Sequence, residues 1–229
     1  EFAPSAVKAG AVVIDNSSAF RMDPEVPLIV PEVNPEAILK HKGIIANPNC
    51  STIIMLMALK PIYDLARIKR IIVSTYQAVS GAGKEGIDEL TNQVGEYLDG
   101  KEMTANILPS ASAEKHYPIA FNLIPQIDVF CDNLYTKEEM KMVNETRKIL
   151  DDYDMRITAT TIRVPVYRSH SESVNIELEK DVSLEEIKKA LAAFPGVIVQ
   201  DDPAAQLYPM PLYTSDTDEV YVGRLRRDE

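Results

Sequence analysis

The segment Gly43-Ile44-Ile45-Ala46-Asn47-Pro48-Asn49-Cys50-Ser51-Thr52, followed by the apolar run Ile53 to Leu59, constrains the fold more than any other stretch. Its first four residues read as a short buried strand, the next six as a turn, and the remainder as an apolar helix. A strand feeding a helix through a tight turn is the joint from which α/β units are built. The same joint places Cys50 against unpaired backbone N–H groups and the positive end of a helix dipole. Both influences lower a thiol's pKa and favour the thiolate. Cys50 is therefore a candidate nucleophile.

Upstream, Ala11 to Asp15 reads as a buried strand. Asn34-Pro35-Glu36 reads as a helix start, with Asn34 as N-cap and Pro35 at the first helical position. Strand, helix and strand then lead to Cys50, and Pro61 is expected to kink or restart the helix that Cys50 opens. From Ile68 the character changes. Ile68 to Val79 is rich in β-formers, and a helix is expected from about Lys84 to Leu98, with Ile87, Leu90, Val94 and Leu98 on one face. Gly100 to Tyr117 is an irregular polar connection. Thr136-Lys137-Glu138-Glu139 is a capping box for a helix reaching Leu150, and Ser183-Leu184-Glu185-Glu186 is a second one for a helix to Phe194. Strand patterns occupy Met155 to Val166, Ser173 to Glu179, Val197 to Gln200 and Glu219 to Arg226. Not all of these helices can be crossovers. The expected fold is α+β, a mixed or antiparallel sheet with helices on one face, preceded by the tail of a parallel α/β domain. The expected boundary puts residues 1–49 in the tail and 50–229 in the α+β domain.

The chain of 229 residues carries a net charge of −11, which argues against nucleic acid or an anionic membrane as partner. No apolar stretch is long enough to span a bilayer, and Glu1-Phe2-Ala3-Pro4 lacks the blocks of a signal peptide. Two cysteines and three histidines offer no metal-ligand spacing and fit a reducing compartment, with the cytoplasm as the expected location.

A nucleophilic cysteine needs a base. His41 lies between Lys40 and Lys42, and His116 lies in a polar stretch; both read as surface residues. His170 follows Arg163-Val164-Pro165-Val166-Tyr167-Arg168-Ser169 between two strong strands. It reads either as a polar residue in a connection or as a pocket imidazole near its working pKa, with Arg163 ready for a carboxylate. Cys131 has no helix start beside it and reads as structural. Ser80-Gly81-Ala82-Gly83-Lys84-Glu85-Gly86 contains a formal G-x-G-x-x-G, but it lies outside the parallel α/β portion. It reads as a turn whose glycines let backbone approach a ligand. Lys141 shares a helical face with Glu138, and Arg21 stands beside Phe20; taken alone, both cations read as surface charges.

Asp15 to Arg21, Pro31 to Asn34, Asn47 to Thr52, Tyr76 to Gly83 and Arg163 to His170 together resemble aspartate-semialdehyde dehydrogenases, in that family's order and at its approximate spacing. The resemblance extends over essentially the whole chain. It implies a glyceraldehyde-3-phosphate dehydrogenase-like catalytic domain behind a Rossmann tail, assembled as a homodimer or tetramer. It also implies NADP-dependent reduction of β-aspartyl phosphate to aspartate β-semialdehyde, with release of phosphate, on the route to lysine, threonine and methionine. By motif match, Cys50 is the nucleophile, His170 the acid–base and Gln77 the residue that positions the acyl group. Arg163 would hold the substrate α-carboxylate and Glu138 its amino group. Arg21 and Lys141 would bind phosphate, with Asn49 beside it, and Ser80 and Gly81 would approach the nicotinamide.

Three alternatives compete. One is an N-acetylglutamyl-phosphate reductase-like enzyme, less suited to the Glu138 and Arg163 pair. Another is a Cys/His acyltransferase or hydrolase without nicotinamide, and the third is a non-catalytic dimerisation module. The glycine fingerprint expected before this segment in the family and the helix expected after it are not in the sequence. The expectation is a fragment that binds NADP poorly and turns over little alone.

Overall fold

The structure, a computed structural model, describes residues 2–228; Glu1 and Glu229, the outermost residues of the two expected domains, lie outside it. A short helix, α1 (Ala3–Lys8), precedes β1 (Val13–Asp15), and β2 (Ile44–Ala46) pairs with β1 in parallel. The expected helix between these strands is a 3₁₀ turn, Pro35–Lys40, and Asn34 does not cap it. The Asn34 side chain turns back instead, accepting from the Val30 N–H and donating to the Leu28 carbonyl, both at 2.9 Å. An amide that satisfies a buried loop in this way is no longer available to a helix start.

The helix opened by Cys50, α2 (Cys50–Ala66), continues through Pro61 without a break, contrary to expectation. Met55, Leu56, Leu59 and Ile62 are all buried in the main core, and that packing holds the last turns together despite the missing N–H. A ten-residue strand follows, β3 (Ile68–Gln77), and then a 3₁₀ turn over Val79–Ala82. Next come α3 (Gly83–Leu98), α4 (Lys137–Leu150), β4 (Arg156–Arg163) and β5 (Ser171–Leu178). The chain finishes with α5 (Leu184–Ala193), β6 (Val197–Val199), α6 (Pro211–Thr214) and β7 (Val220–Val222). Both expected capping boxes are formed, on Thr136 and on Ser183. Leu98, expected on the packed face of α3, is 77 % exposed, because the packed stripe stops a turn earlier.

The sheet is mixed, in the order β4-β3-β5, with β3 parallel to β4 and antiparallel to β5. Alternation along β3 sends Ile71, Val73, Thr75 and Gln77 to the covered face, where α2 and α4 pack. Ile72 and Tyr76 point to the other face and remain exposed. The α+β architecture read from the sequence is therefore the architecture observed. Gln77 ends β3 and Arg163 ends β4 in register with it, so parallel pairing delivers both side chains to one edge of the sheet, against α4.

Candidate active site

The site is assembled around the turn before α2. Asn49 caps that helix, its Oδ1 accepting from the N–H groups of Ser51 and Thr52 at 3.0 and 3.3 Å. Its Nδ2 donates to Glu138 Oε1 at 2.8 Å, and Gln77 Nε2 donates to the same oxygen at 3.1 Å. Lys141 Nζ bonds Glu138 Oε2 at 3.0 Å and Asp128 Oδ2 at 3.2 Å. Asn49 thus acts first as the organiser of the cysteine turn, a part in the geometry that the resemblance did not assign to it.

Cys50, Arg21, Asn49, Gln77, Gly81, Glu138, Lys141 and Arg163 line one cavity of ≈ 470 Å³. His170 and Ser80 are not among its lining residues and border the larger groove on the other side of the Ser80-Gly81 turn. The two spaces meet at Gly81. A Cβ added there would stand 2.9 Å from Arg163 Nη1 and 3.3 Å from His170 Nε2. His41 and His116, expected at the surface, are half-buried and bonded to nearby backbone; neither lines the cavity. The larger groove has no counterpart in the sequence-based expectations.

Arg163 is buried, with Nη1 donating to the Ala78 carbonyl at 2.7 Å and Nε buried without a partner. Arg21 donates from Nε to Asn47 O, from Nη1 to Glu145 Oε1 and from Nη2 to Asn16 O. Of the five guanidinium N–H groups, that leaves two for an anion.

The electrostatics correct two expectations. The Cys50 side chain reaches the cavity and is exposed there. Its thiol pKa is nevertheless pushed above the ordinary value, first by desolvation and then by the Glu138 carboxylate. Hydrogen bonds from Ser51 and the charge of Arg163 pull downward and do not win. The helix terminus is where the sequence placed it, but the net shift runs opposite to the one expected. His170 is not near a working pKa of 6 to 7: burial, then Arg163, push it down to about 4. Its Nδ1 accepts the Ala78 N–H at 3.0 Å, so the neutral ring carries its proton on Nε2. Desolvation alone would raise Glu138 and lower Lys141, but their mutual attraction and hydrogen bonds outweigh it. Both remain charged.

Two charged residues of the site were not read from the sequence. Glu145 and Lys148 continue the stripe of Glu138 and Lys141 along α4, at a helical spacing that puts all four on one face. Lys148 Nζ donates to three backbone carbonyls, those of Arg21, Asp23 and Val26, at 2.7 to 2.9 Å. On α3, Glu89 accepts from the N–H groups of Asn106 and Ile107, and Gln93 from those of Ile119 and Ala120. They brace the irregular segment that contributes Ile107, Pro109 and Ser110 to the cavity wall. A polar stripe on a helix between two irregular segments was the available signal.

The site is a cysteine at a capped helix start, facing clustered cations and the Glu138 carboxylate of α4 beside a mixed sheet. Residues 59–229 match the family described as semialdehyde dehydrogenase, dimerisation domain, and residues 1–41 match semialdehyde dehydrogenase, NAD binding domain. Aspartate-semialdehyde dehydrogenase from Aquifex aeolicus is 57 % identical over 230 residues, covering all of this chain and 66 % of the relative. The Bacillus subtilis enzyme of the same name is 55 % identical, over 99 % of this chain and 66 % of that one. A crystal structure of aspartate semialdehyde dehydrogenase II complexed with ASA, from Vibrio cholerae, superposes with a TM-score of 0.93 at 48 % identity, covering all of this chain and 66 % of that one. The chain belongs to the aspartate-semialdehyde dehydrogenase family. It spans just under two thirds of the length of these relatives.

Proposed function

We propose that this chain carries the catalytic half of an enzyme that converts β-aspartyl phosphate to aspartate β-semialdehyde and phosphate, with NADP as its cofactor and Cys50 as its nucleophile. The observation that carries this reading is the single cavity in which Cys50 stands among Arg21, Lys141, Arg163 and Glu138. Phosphate, α-carboxylate and α-ammonium each find an opposite charge there. Glu138 Oε2 accepts one bond, from Lys141, which leaves it a lone pair for the ammonium. The same demand for a free amino group separates this substrate from an N-acetylated one.

In this mechanism, the Cys50 Sγ attacks the acyl carbon and the carbon–oxygen bond to phosphate breaks. Arg21 and Lys141 stabilise the departing phosphate, and Gln77, fixed between Thr75 and Glu138, holds the acyl oxygen side of the site. The acyl group then rests on Cys50 as a thioester. The absent Cβ at Gly81 lets Arg163 and His170 close on that turn, and the Ser80-Gly81 backbone would be the part that approaches a nicotinamide. When bound, the dinucleotide supplies the hydride. His170 Nε2–H would then donate a hydrogen bond to the oxyanion on the former acyl carbon; as the carbonyl re-forms from that oxyanion the carbon–sulfur bond breaks, freeing the aldehyde and returning Cys50 as the thiolate. The raised thiol pKa fits a Cys50 that gives up its proton with substrate bound, the proton leaving on the departing phosphate. The ammonium that pairs with Glu138 cancels the carboxylate's contribution to that rise.

The test is phosphate-dependent reduction of NADP with aspartate β-semialdehyde by a protein in which this chain is joined to the rest of the NAD binding domain, run in parallel with N-acetylglutamate γ-semialdehyde. Activity that needs phosphate and prefers the free amino acid by about 10- to 100-fold is expected, since an acetylated nitrogen forfeits one charge-assisted hydrogen bond to Glu138. Aldehyde turnover without phosphate would sink the acyl-phosphate reading, and turnover without nicotinamide would point to a hydrolase.

We place the division between the two domains at Cys50 and assign the protein to the cytoplasm. We also propose a homodimer formed through the uncovered face of the sheet, where Ile72 and Tyr76 are 38 % and 41 % exposed. The match to a dimerisation domain supports it. Light scattering should give a dimeric mass, and Ile72→Lys should shift it toward the monomer; a monomeric mass for the unaltered protein would count against the interface.

A further inference from the structure

Glu145 is the most thoroughly committed carboxylate at the site, although it faces no part of the cavity. It is 1 % exposed. Its Oε1 accepts from Arg21 Nη1 at 3.1 Å, and its Oε2 accepts from the Asn49 backbone N–H at 2.6 Å. Asn49 in turn caps the Cys50 helix and bonds Glu138. A continuous path therefore runs from the Arg21 guanidinium, through Glu145, to the residue preceding the nucleophile. Arg21 and Asn49 belong to segments far apart in sequence from α4; Arg21 Nε reaches the Asn47 carbonyl of the Cys50 turn directly, and Glu145 adds the second tie, from Nη1 to the Asn49 N–H.

We infer that Glu145 is a positioning residue that holds the Arg21 guanidinium in register with the Cys50 turn, so that an anion bound by Arg21 lies against the thiol. This rests on the reading of the cavity as an anion site. The residue type follows from the geometry. Both arms need an acceptor, and a carboxylate offers one on each oxygen. Glutamine has a single carbonyl oxygen. If that oxygen serves the Asn49 N–H, which the turn fixes, its NH₂ faces Arg21 Nη1, donor against donor, and drives the guanidinium away. Aspartate keeps both acceptors but is one methylene too short to reach both partners.

The inference separates two opposing effects of Glu145→Gln. Removing a negative charge next to Arg21 would, by charge alone, strengthen anion binding. Losing the register would weaken it. Arg21 lies buried at the cavity edge with two of its N–H groups free, so where they point decides whether an anion reaches them.

The experiment is alkylation of Cys50 by iodoacetamide against a titration of inorganic phosphate, with Cys131 as internal reference. In the unaltered protein, phosphate should slow Cys50 labelling. Glu145→Gln should raise the half-protecting phosphate concentration about tenfold or more, the scale of one charge-assisted hydrogen bond. Arg21→Gln should raise it comparably, and the double variant should be no worse than the poorer single one. Glu145→Asp, which retains both acceptors, should fall between the unaltered protein and Glu145→Gln. An unchanged half-protecting concentration in either Glu145 variant overturns the inference. So does a lower one in Glu145→Gln, or effects that multiply in the double variant. If phosphate does not protect Cys50 in the unaltered protein, the anion-site reading falls and this inference with it. If it protects the unaltered protein and Glu145→Gln alike, only the inference about Glu145 falls.

Discussion

Cys50→Ser should lower phosphate-dependent turnover by at least about 10³-fold, since a serine hydroxyl has no comparable thiolate-like form near neutral pH. The substitution is almost isosteric at an exposed side chain, and the cap on α2 is supplied by Asn49, so thermal stability should hold within about 0.5 kcal/mol. The thiol's raised pKa adds a second signature. Labelling of Cys50 by iodoacetamide in the unliganded protein should climb about tenfold per pH unit through neutrality, because only the thiolate reacts. Its ordinary value is 9.0 and the shift is upward, so no plateau is expected below that pH. The sign is fixed by the environment: desolvation and Glu138 disfavour the anion, and Arg163 and Ser51 oppose them without prevailing. A plateau near pH 7 would mean that the thiolate is preformed, and the proposal that deprotonation waits for substrate would fail.

The elements that carry the candidate site residues were legible in the sequence, and the electrostatics among them were not. Cys50 stood out because a strand, a turn and an apolar run have distinct periodicities, and the two capping boxes announced α4 and α5 through local hydrogen bonds that need no tertiary partner. The thiol's pKa depends first on burial and then on Glu138, which lies far along the chain and reaches Cys50 only after α4 docks beside α2. The helix dipole was a local argument and lost to a non-local one. His170 shows the same thing, since its depressed pKa comes from burial and from Arg163 across the Gly81 turn. Asn34 and Pro61 were misread because loop satisfaction and core packing outweigh propensity where both act. Glu145 and Lys148 were missed for a related reason. A charged stripe on a helix ordinarily faces water, and only the buried carbonyls and N–H groups of the neighbouring turns make it face inward.

Arg163→Lys should lower kcat/KM for the aldehyde substrate by about 10²-fold, chiefly through KM. Arg163 Nη1 is anchored on the Ala78 carbonyl, and the buried Nε has no protein partner. A carboxylate reaching the part of the guanidinium that lines the cavity would gain charge-assisted hydrogen bonds worth about 1.5–3 kcal/mol each, and each 1.4 kcal/mol is a factor of about ten. Lysine offers a point charge that cannot hold Ala78 and a planar carboxylate together. In the proposed mechanism this contact would lie away from the reacting carbon and be made equally in ground and transition states, so the loss should fall on KM. Charge and shape separate in a second variant. Arg163 is the second cause of the low His170 pKa, after burial, and Glu138 opposes it. Arg163→Leu removes the guanidinium charge and leaves Glu138 in place, so the His170 pKa should rise from about 4 toward the ordinary imidazole range. Arg163→Lys keeps the charge and should leave it low. Titration of the His170 ring by NMR reads the difference directly. If both variants bind substrate as the unaltered protein does, Arg163 is not the carboxylate clamp. If the His170 pKa is unmoved in the leucine variant, burial alone sets it, and the coupling across Gly81 is without effect.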